Sequence, residues 1–222
     1  AGDNPVGVSV LFTVSKMDAG PIISQKSYTI ENVDEEDAST LLPKLFEVGT
    51  ELLLECMPDV LEGKITMDTA SIQNEEDVVE ASMIDSSEGE LRVWKTGAEE
   101  CAKKIRGFAM WPGTYMYFRI GEDDEDFSLK EPLRVKVIKA RALKDEEGNA
   151  ERTAPTDAVA LGPKKKDGLR VVCHDGSVLE LLQVQPATKK AMDAKSFVNG
   201  MRGATIRWAK MPEEEEDEGE QS

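Results

Sequence analysis

The sequence is poor in the residues that build most catalytic centres. In 222 residues it has one histidine, His174, and three cysteines, Cys56, Cys101 and Cys173. The cysteines are widely spaced with no Cys-x-x-Cys pair, so neither a disulfide framework nor a metal site is expected, and a reducing compartment fits best. A single histidine argues against a self-contained Ser/His/Asp triad. Aromatics make up only 5%. No apolar run reaches the roughly 18 residues of a membrane span, so no membrane partner is expected. No signal or transit peptide is visible, and the chain opens on Ala1 rather than Met. Positive charge is also in deficit: 27 Lys and Arg stand against 44 Asp and Glu, a net charge of −17. Taken whole, that balance argues against nucleic acid, whose phosphates need Lys and Arg.

The distribution of charge reverses the argument. Glu31–Asp37 and Glu122–Asp126 carry five acids each, and Glu213–Glu220 carries seven. These three runs account for the whole excess, and the remainder is charge-balanced. Segregation of this kind leaves room for a basic face. The length predicts one to two domains with a real core.

Gly7–Val14 alternates apolar and polar residues and predicts a strand; Ser15–Pro21 punctuates it, and Ile22–Ile30 predicts a second strand. The first acidic run reads as a loop. Leu41, Leu45, Val48 and Leu52 form a stripe, with Leu42, Phe46 and Leu53 beside it, predicting a helix over Thr40–Met57. Pro43 falls in its first turn, and Pro58 and Gly63 end it. Residues 64–90 are polar, weakly periodic and read as a linker. Glu90–Trp94 reads as a short strand. Thr96 and Glu99 have capping-box spacing ahead of a helix carrying Cys101, Ile105 and Phe108. Trp111-Pro112-Gly113 stops that helix, and Trp111 reads as core. Strands are predicted over Thr114–Ile120, Leu133–Ala140 and Ala158–Leu161. Leu169–Cys173 and Ser177–Gln183 flank Asp175-Gly176, a hairpin signal. Asp193 is placed to cap a last helix through Met201. Short strands with small helices after residue 90 predict a closed or half-closed barrel. The first sixty residues read as the end of an α/β unit without its beginning. The acidic end reads as a disordered tail.

Asp18 follows a predicted strand, where α/β sheets place ligands, although an aspartate before Ala19-Gly20-Pro21 also serves simply to shape a turn. His174 reads as an exposed turn residue. Lys164, Lys165 and Lys166 form one loop cluster, and Lys189 and Lys190 follow Pro186 in another. Arg202, Arg207 and Lys210 lie near the end, with Lys103, Lys104 and Arg106 on the helix. If these share a face, they supply phosphate contacts.

Four segments carry a resemblance. Gly7-Val8-Ser9-Val10 through Met17-Asp18-Ala19-Gly20-Pro21-Ile22-Ile23 resembles the strand and loop that hold the catalytic Asp of folate-dependent formyltransferases. Ile105 through Tyr115 resembles the opening of the C-terminal domain of methionyl-tRNA formyltransferases. Leu182 through Met192, containing Gln185-Pro186-Ala187-Thr188-Lys189-Lys190, resembles that domain's most recognisable segment. Phe197-Val198-Asn199-Gly200 continues it.

The resemblance spans nearly all of residues 1–208. It implies an α/β stump, the end of a doubly wound formyltransferase domain (1–63). A linker (64–90) follows, then a mostly β, OB-like barrel domain with short helices (91–210) and an acidic tail (211–222). It implies formyl transfer from 10-formyltetrahydrofolate to the α-amino group of initiator methionyl-tRNA by a monomer that needs no metal. Of the family's catalytic Asn, His and Asp, only the Asp is matched, at Asp18, and His174 does not substitute. The 222 residues alone are therefore expected not to formylate. Met17 and Asp18 are the expected folate-side residues, and Arg106, Lys164, Lys165, Lys166, Lys189, Lys190 and Arg202 the expected tRNA-side residues. The chain's acidity departs from the positive C-terminal domain that the resemblance leads one to expect. Rival readings are an amino-sugar formyltransferase, a formyltetrahydrofolate dehydrogenase, or a non-catalytic RNA-binding relic. Formylated initiation places the protein in a mitochondrion or plastid, or in bacterial cytoplasm.

Overall fold

The computed structural model describes residues 2–74, 76, 79, 81–143, 157–164 and 166–211. The chain divides into two compact units, Ala1–Asp85 and Ser86–Ser222.

The first unit pairs strand β1 (Val6–Leu11) with strand β2 (Ile22–Tyr28), antiparallel, and packs helix α1 (Ala38–Leu61) on them. Leu52 and Cys56 are buried on α1, and Gly49 lets the helix approach the Val8 side chain closely. The helix begins two residues before the expected Thr40 and runs four past Met57. Its start is set by the acidic run itself: Asp37 Oδ1 accepts the Ser39 and Thr40 amides at 2.8 and 3.2 Å, and Thr40 Oγ1 accepts the Asp37 amide. Lys44 pairs with Glu36. Pro43 thus sits beyond the first turn. Pro58 does not end the helix either, because its carbonyl still accepts the Glu62 amide and closes a last turn. Part of the expected linker belongs to this unit: Ser71 exchanges backbone hydrogen bonds with Ile22 at 2.7 and 3.1 Å.

The second unit is a barrel. Strands β3 (Thr114–Gly121), β4 (Leu133–Ala142), β5 (Ala158–Leu161), β6 (Leu169–Val172), β7 (Val178–Pro186) and β9 (Thr205–Ala209) close in the order β4-β3-β9-β5-β6-β7 and back to β4. Every neighbouring pair is antiparallel, and β8 (Met192–Asp193) adds to β7. The expected mostly β barrel with short helices is therefore present and closed. Met116, Phe118, Val135, Val137, Leu179, Leu181 and Val184 point inward. Helix α2 (Ala98–Gly107) adds Cys101 and Ile105 to this core, and helix α3 (Ala194–Gly200) adds Phe197, whose ring lies 6.0 Å from that of Phe118. Asp193 caps α3 through the Ser196 amide, as expected.

Three expectations are corrected. Glu90–Trp94 forms no strand beyond a single bridge of Glu90 to Tyr115. The capping box at Thr96 does not form: Gly97 is the N-cap, and Ser177 from the β6–β7 hairpin accepts the Ala98 amide instead. Trp111 is 58% exposed rather than core, because the tight turn through Gly113 leaves its ring outside the barrel. The stretch 144–156 and all of the acidic tail except Met211 lie outside the described residues.

Candidate functional site

β1 ends at Leu11, so Asp18 stands seven residues beyond it in an exposed irregular loop, not at a buried strand end. Its backbone is left-handed (φ 55°), a conformation aspartate tolerates better than most residues. Gln73 fixes the loop: its Nε2 donates to the Asp18 carbonyl at 2.7 Å and to the Gly20 carbonyl at 2.8 Å. Gly20 is required there, since a Cβ would collide with the Phe12 carbonyl. A cleft of about 890 Å³ opens beside the loop, lined by Met17, Asp18, Gln25, Ile72, Gln73 and Asn74 among others. It combines apolar surface from Met17 and Ile72 with side-chain amides. Asp18 and Met17, named together from the sequence, do share this cleft. His174 is in the other unit, exposed in the β6–β7 hairpin, its amide donating to the Val93 carbonyl. Among the described residues, no cluster of three or more His, Cys, Asp or Glu is placed to hold a metal ion.

The barrel topology decides where the basic loops go. β5 and β7 end where β6 and β9 begin, so the β5–β6 loop, the β7–β8 loop and the α3–β9 connection leave the same end. Lys164 and Lys166, Lys189 and Lys190, and Arg202 occupy these three connections, and all are exposed. Lys165 lies outside the described residues. Arg106 is not brought to this group: it is half-buried in the last turn of α2, which leads into the start of β3 and not its end. Asp167 anchors the first loop, accepting the Lys164 amide at 2.9 Å while pairing with Arg170 at 3.3 Å. In the second, Gln185 Nε2 holds the Lys189 carbonyl at 2.8 Å.

The acidic β3–β4 connection leaves the same end, and three of the five acids of Glu122–Asp126 are engaged in contacts. Glu125 pairs with Lys130, Asp126 accepts the Ser128 amide, and Asp123 accepts from Thr205. The Lys130 ammonium holds Glu125 below the usual carboxylate range, and Ser128 does the same for Asp126.

Sequence reasoning missed the outer face of β3 and β4. On β4 the inward positions are Val135, Val137 and Ala140, and the outward ones are Arg134, Lys136, Lys139 and Arg141. An irregularity around Ile138 restores the alternation, so all four cations stay outside. Tyr115 opposes Lys136 and Tyr117 opposes Arg134 across the strand pair. The Arg134 guanidinium sits 3.8 Å over the Tyr115 ring. The next outward positions on β7 beside Lys136 and Lys139 are Gln185 and Gln183. The signal was legible as cations at alternating positions within Leu133–Ala142.

Residues 83–202 match the family described as formyl transferase, C-terminal domain, and the chain belongs to that family. Among proteins, it is 34% identical over 200 residues to the methionyl-tRNA formyltransferase of Lactococcus lactis subsp. cremoris strain MG1363. It is 35% identical over 199 residues to that of Lactobacillus gasseri. Each match covers 90% of this chain and 55% of the relative, so the chain spans about half the length of the curated relatives it matches. Among solved structures, HypX from Aquifex aeolicus in complex with tetrahydrofolic acid is similar with a TM-score of 0.59 and 13% identity. That match covers 91% of this chain and 31% of HypX, and shows likeness of fold.

Proposed function

We propose that this chain is the C-terminal portion of a methionyl-tRNA formyltransferase, which moves a formyl group from 10-formyltetrahydrofolate to the α-amino nitrogen of initiator methionyl-tRNA. The observation that carries the reading is identity of about one third running through both units to relatives of that name. In this reaction the amine forms a bond to the formyl carbon and negative charge grows on the formyl oxygen; collapse then breaks the bond from that carbon to N10 of the folate, and the proton lost by the attacking nitrogen goes to N10 as tetrahydrofolate leaves. Asp18 has the carboxylate role: orienting a neighbouring imidazole and raising its basicity. The Asp18 cleft is the folate side, its apolar edge and amides suiting a flat heterocycle and its polar rim. The exposed lysines of the three same-end loops are the tRNA side, and the barrel is of the OB-like kind. The protein acts as a monomer in a mitochondrion or plastid, or in bacterial cytoplasm.

The competing acceptor is a nucleotide-linked amino sugar. Labelled initiator methionyl-tRNA should be retained by the chain and displaced by unlabelled tRNA, but not by a sugar nucleotide. Displacement by the sugar nucleotide, or no retention, contradicts the proposal.

A further inference from the structure

The outward face of β3 and β4 is a second basic surface, distinct from the loop lysines, and nothing in the reading above uses it. We propose that it binds unpaired RNA, stacking bases on its aromatic and guanidinium planes and meeting phosphates with Lys136 and Lys139. The inference rests on the reading of the chain as an RNA binder and adds where, and in which form, RNA is held.

Two properties point to this ligand. The first is charge. Arg134, Lys136 and Lys139 stand at outward positions on one strand, all exposed. Alternate residues of a strand are about 7 Å apart, so an extended backbone laid along β4 meets one cation after another. The outward residues of β7 that face Lys136 and Lys139 are neutral amides, Glu180 further along β7 is taken up by Arg141 at 2.7 Å, and the nearby Glu90 carboxylate is paired with Arg92 at 3.2 Å. In a chain of net charge −17, a strand face that carries cations and no acid favours a polyanion.

The second is flat, partly exposed surface. The exposed Arg134 guanidinium sits 3.8 Å over the centroid of the half-buried Tyr115 ring, a stack that a base can extend. Tyr117 meets Tyr115 edge-on at 5.8 Å. Trp111, at the approach to the same strand, is 58% exposed. A duplex buries the faces of its bases, whereas unpaired bases offer them, and interleaved aromatics and cations are the pattern that single strands use. The face is also continuous with the β7–β8 loop, because the Ala187 amide donates to the Arg134 carbonyl. RNA crossing Arg134 therefore arrives at Lys189 and Lys190.

The test compares the 222-residue chain with three variants by fluorescence anisotropy. The probes are a short unstructured adenosine–cytidine RNA and the same RNA annealed to its complement. The unmodified chain should prefer the single strand. Lys136→Ala/Lys139→Ala should weaken its binding and flatten the log–log salt slope by about 1.4, the value for two phosphate contacts to a single strand. Tyr117→Ala should weaken it about tenfold without changing the slope. An unchanged slope in the lysine pair, or a preference for the duplex, overturns the proposal. Loss confined to Lys189→Ala/Lys190→Ala overturns it while leaving the tRNA reading intact. No binding of either probe or of tRNA by the folded chain overturns both.

Discussion

Ser177 Oγ accepts the Ala98 amide at 2.8 Å, across 79 residues of sequence. The first free N–H of α2 is thereby capped by a hairpin turn and not by its own N-cap, Gly97. Asp175 completes the arrangement: its Oδ1 accepts the Ser177 amide at 3.0 Å and the Ser177 hydroxyl, and it crowds Gly97 so closely that a Cβ there would collide with it. Ser177→Ala should cost about 1 kcal/mol, read as a lowered midpoint of chemical denaturation.

The hydrogen bonds that Ser177 donates to Asp175 give that site a pH dependence. Ser177 holds the Asp175 carboxyl below its ordinary value of 3.8. A lowered folded value means that the stabilisation is fully present above 3.8 and is lost as pH falls below it. Acid titration of stability should therefore show a smaller loss in this window for Ser177→Ala than for the unmodified chain.

A buried acid should show the opposite economy. Glu180 is fully buried on the outer side of β7, 2.7 Å from Arg141 Nε and 3.6 Å from Arg170 Nε. Arg170→Ala leaves that charge half-compensated and should cost about 3 kcal/mol. Replacing both Arg170 and Glu180 by leucine should be milder than Arg170→Ala alone, because the fully buried Glu180 charge is then gone and the Asp167 partner is lost in either variant. Urea unfolding of the two variants decides.

The three thiols should differ in reactivity. Cys101 and Cys173 hydrogen-bond each other in the barrel core, which holds the Cys101 thiol down and pushes the Cys173 thiol up. Both are at most 1% exposed, against 8% for Cys56. An aromatic disulfide reagent should label Cys56 first in the native chain, and the other two only on unfolding.

Much of this architecture was legible. The strands Ala158–Leu161 and Thr114–Ile120 (one residue short of the observed Gly121), the Asp175-Gly176 hairpin and the Asp193 cap follow from local alternation and local hydrogen-bonding chemistry. What was not legible is non-local. The Ser177 cap depends on which hairpin the fold brings to α2. The shared end of the three basic loops depends on barrel closure, and the exposure of Trp111 on the turn beside it. Asp18 and Met17 were found by resemblance to a motif, and the cleft that joins them to Gln73 and Ile72 appears only when residues 71–74 return to β2. The cations of β4 could have been read from alternation alone, had the polar half of the pattern been given the weight of the apolar half.

Asp18 is the only one of the three expected catalytic groups matched here, and the sole histidine belongs to the other unit. Incubated with 10-formyltetrahydrofolate and methionyl-tRNA, the 222-residue chain should give no formyl transfer above background, and Asp18→Asn should be indistinguishable from it. Turnover by the unmodified chain would refute that assignment.

The central claim is that an acidic chain binds tRNA through basic loops gathered at one barrel end. The most direct measurement is the affinity of initiator methionyl-tRNA for the chain as salt rises from about 50 to 200 mM. Affinity should fall log-linearly, and Lys189→Ala/Lys190→Ala should flatten the slope by about 1.8, the value for two phosphate contacts to a duplex. An affinity that ignores salt, or a slope untouched by those two lysines, would contradict the account.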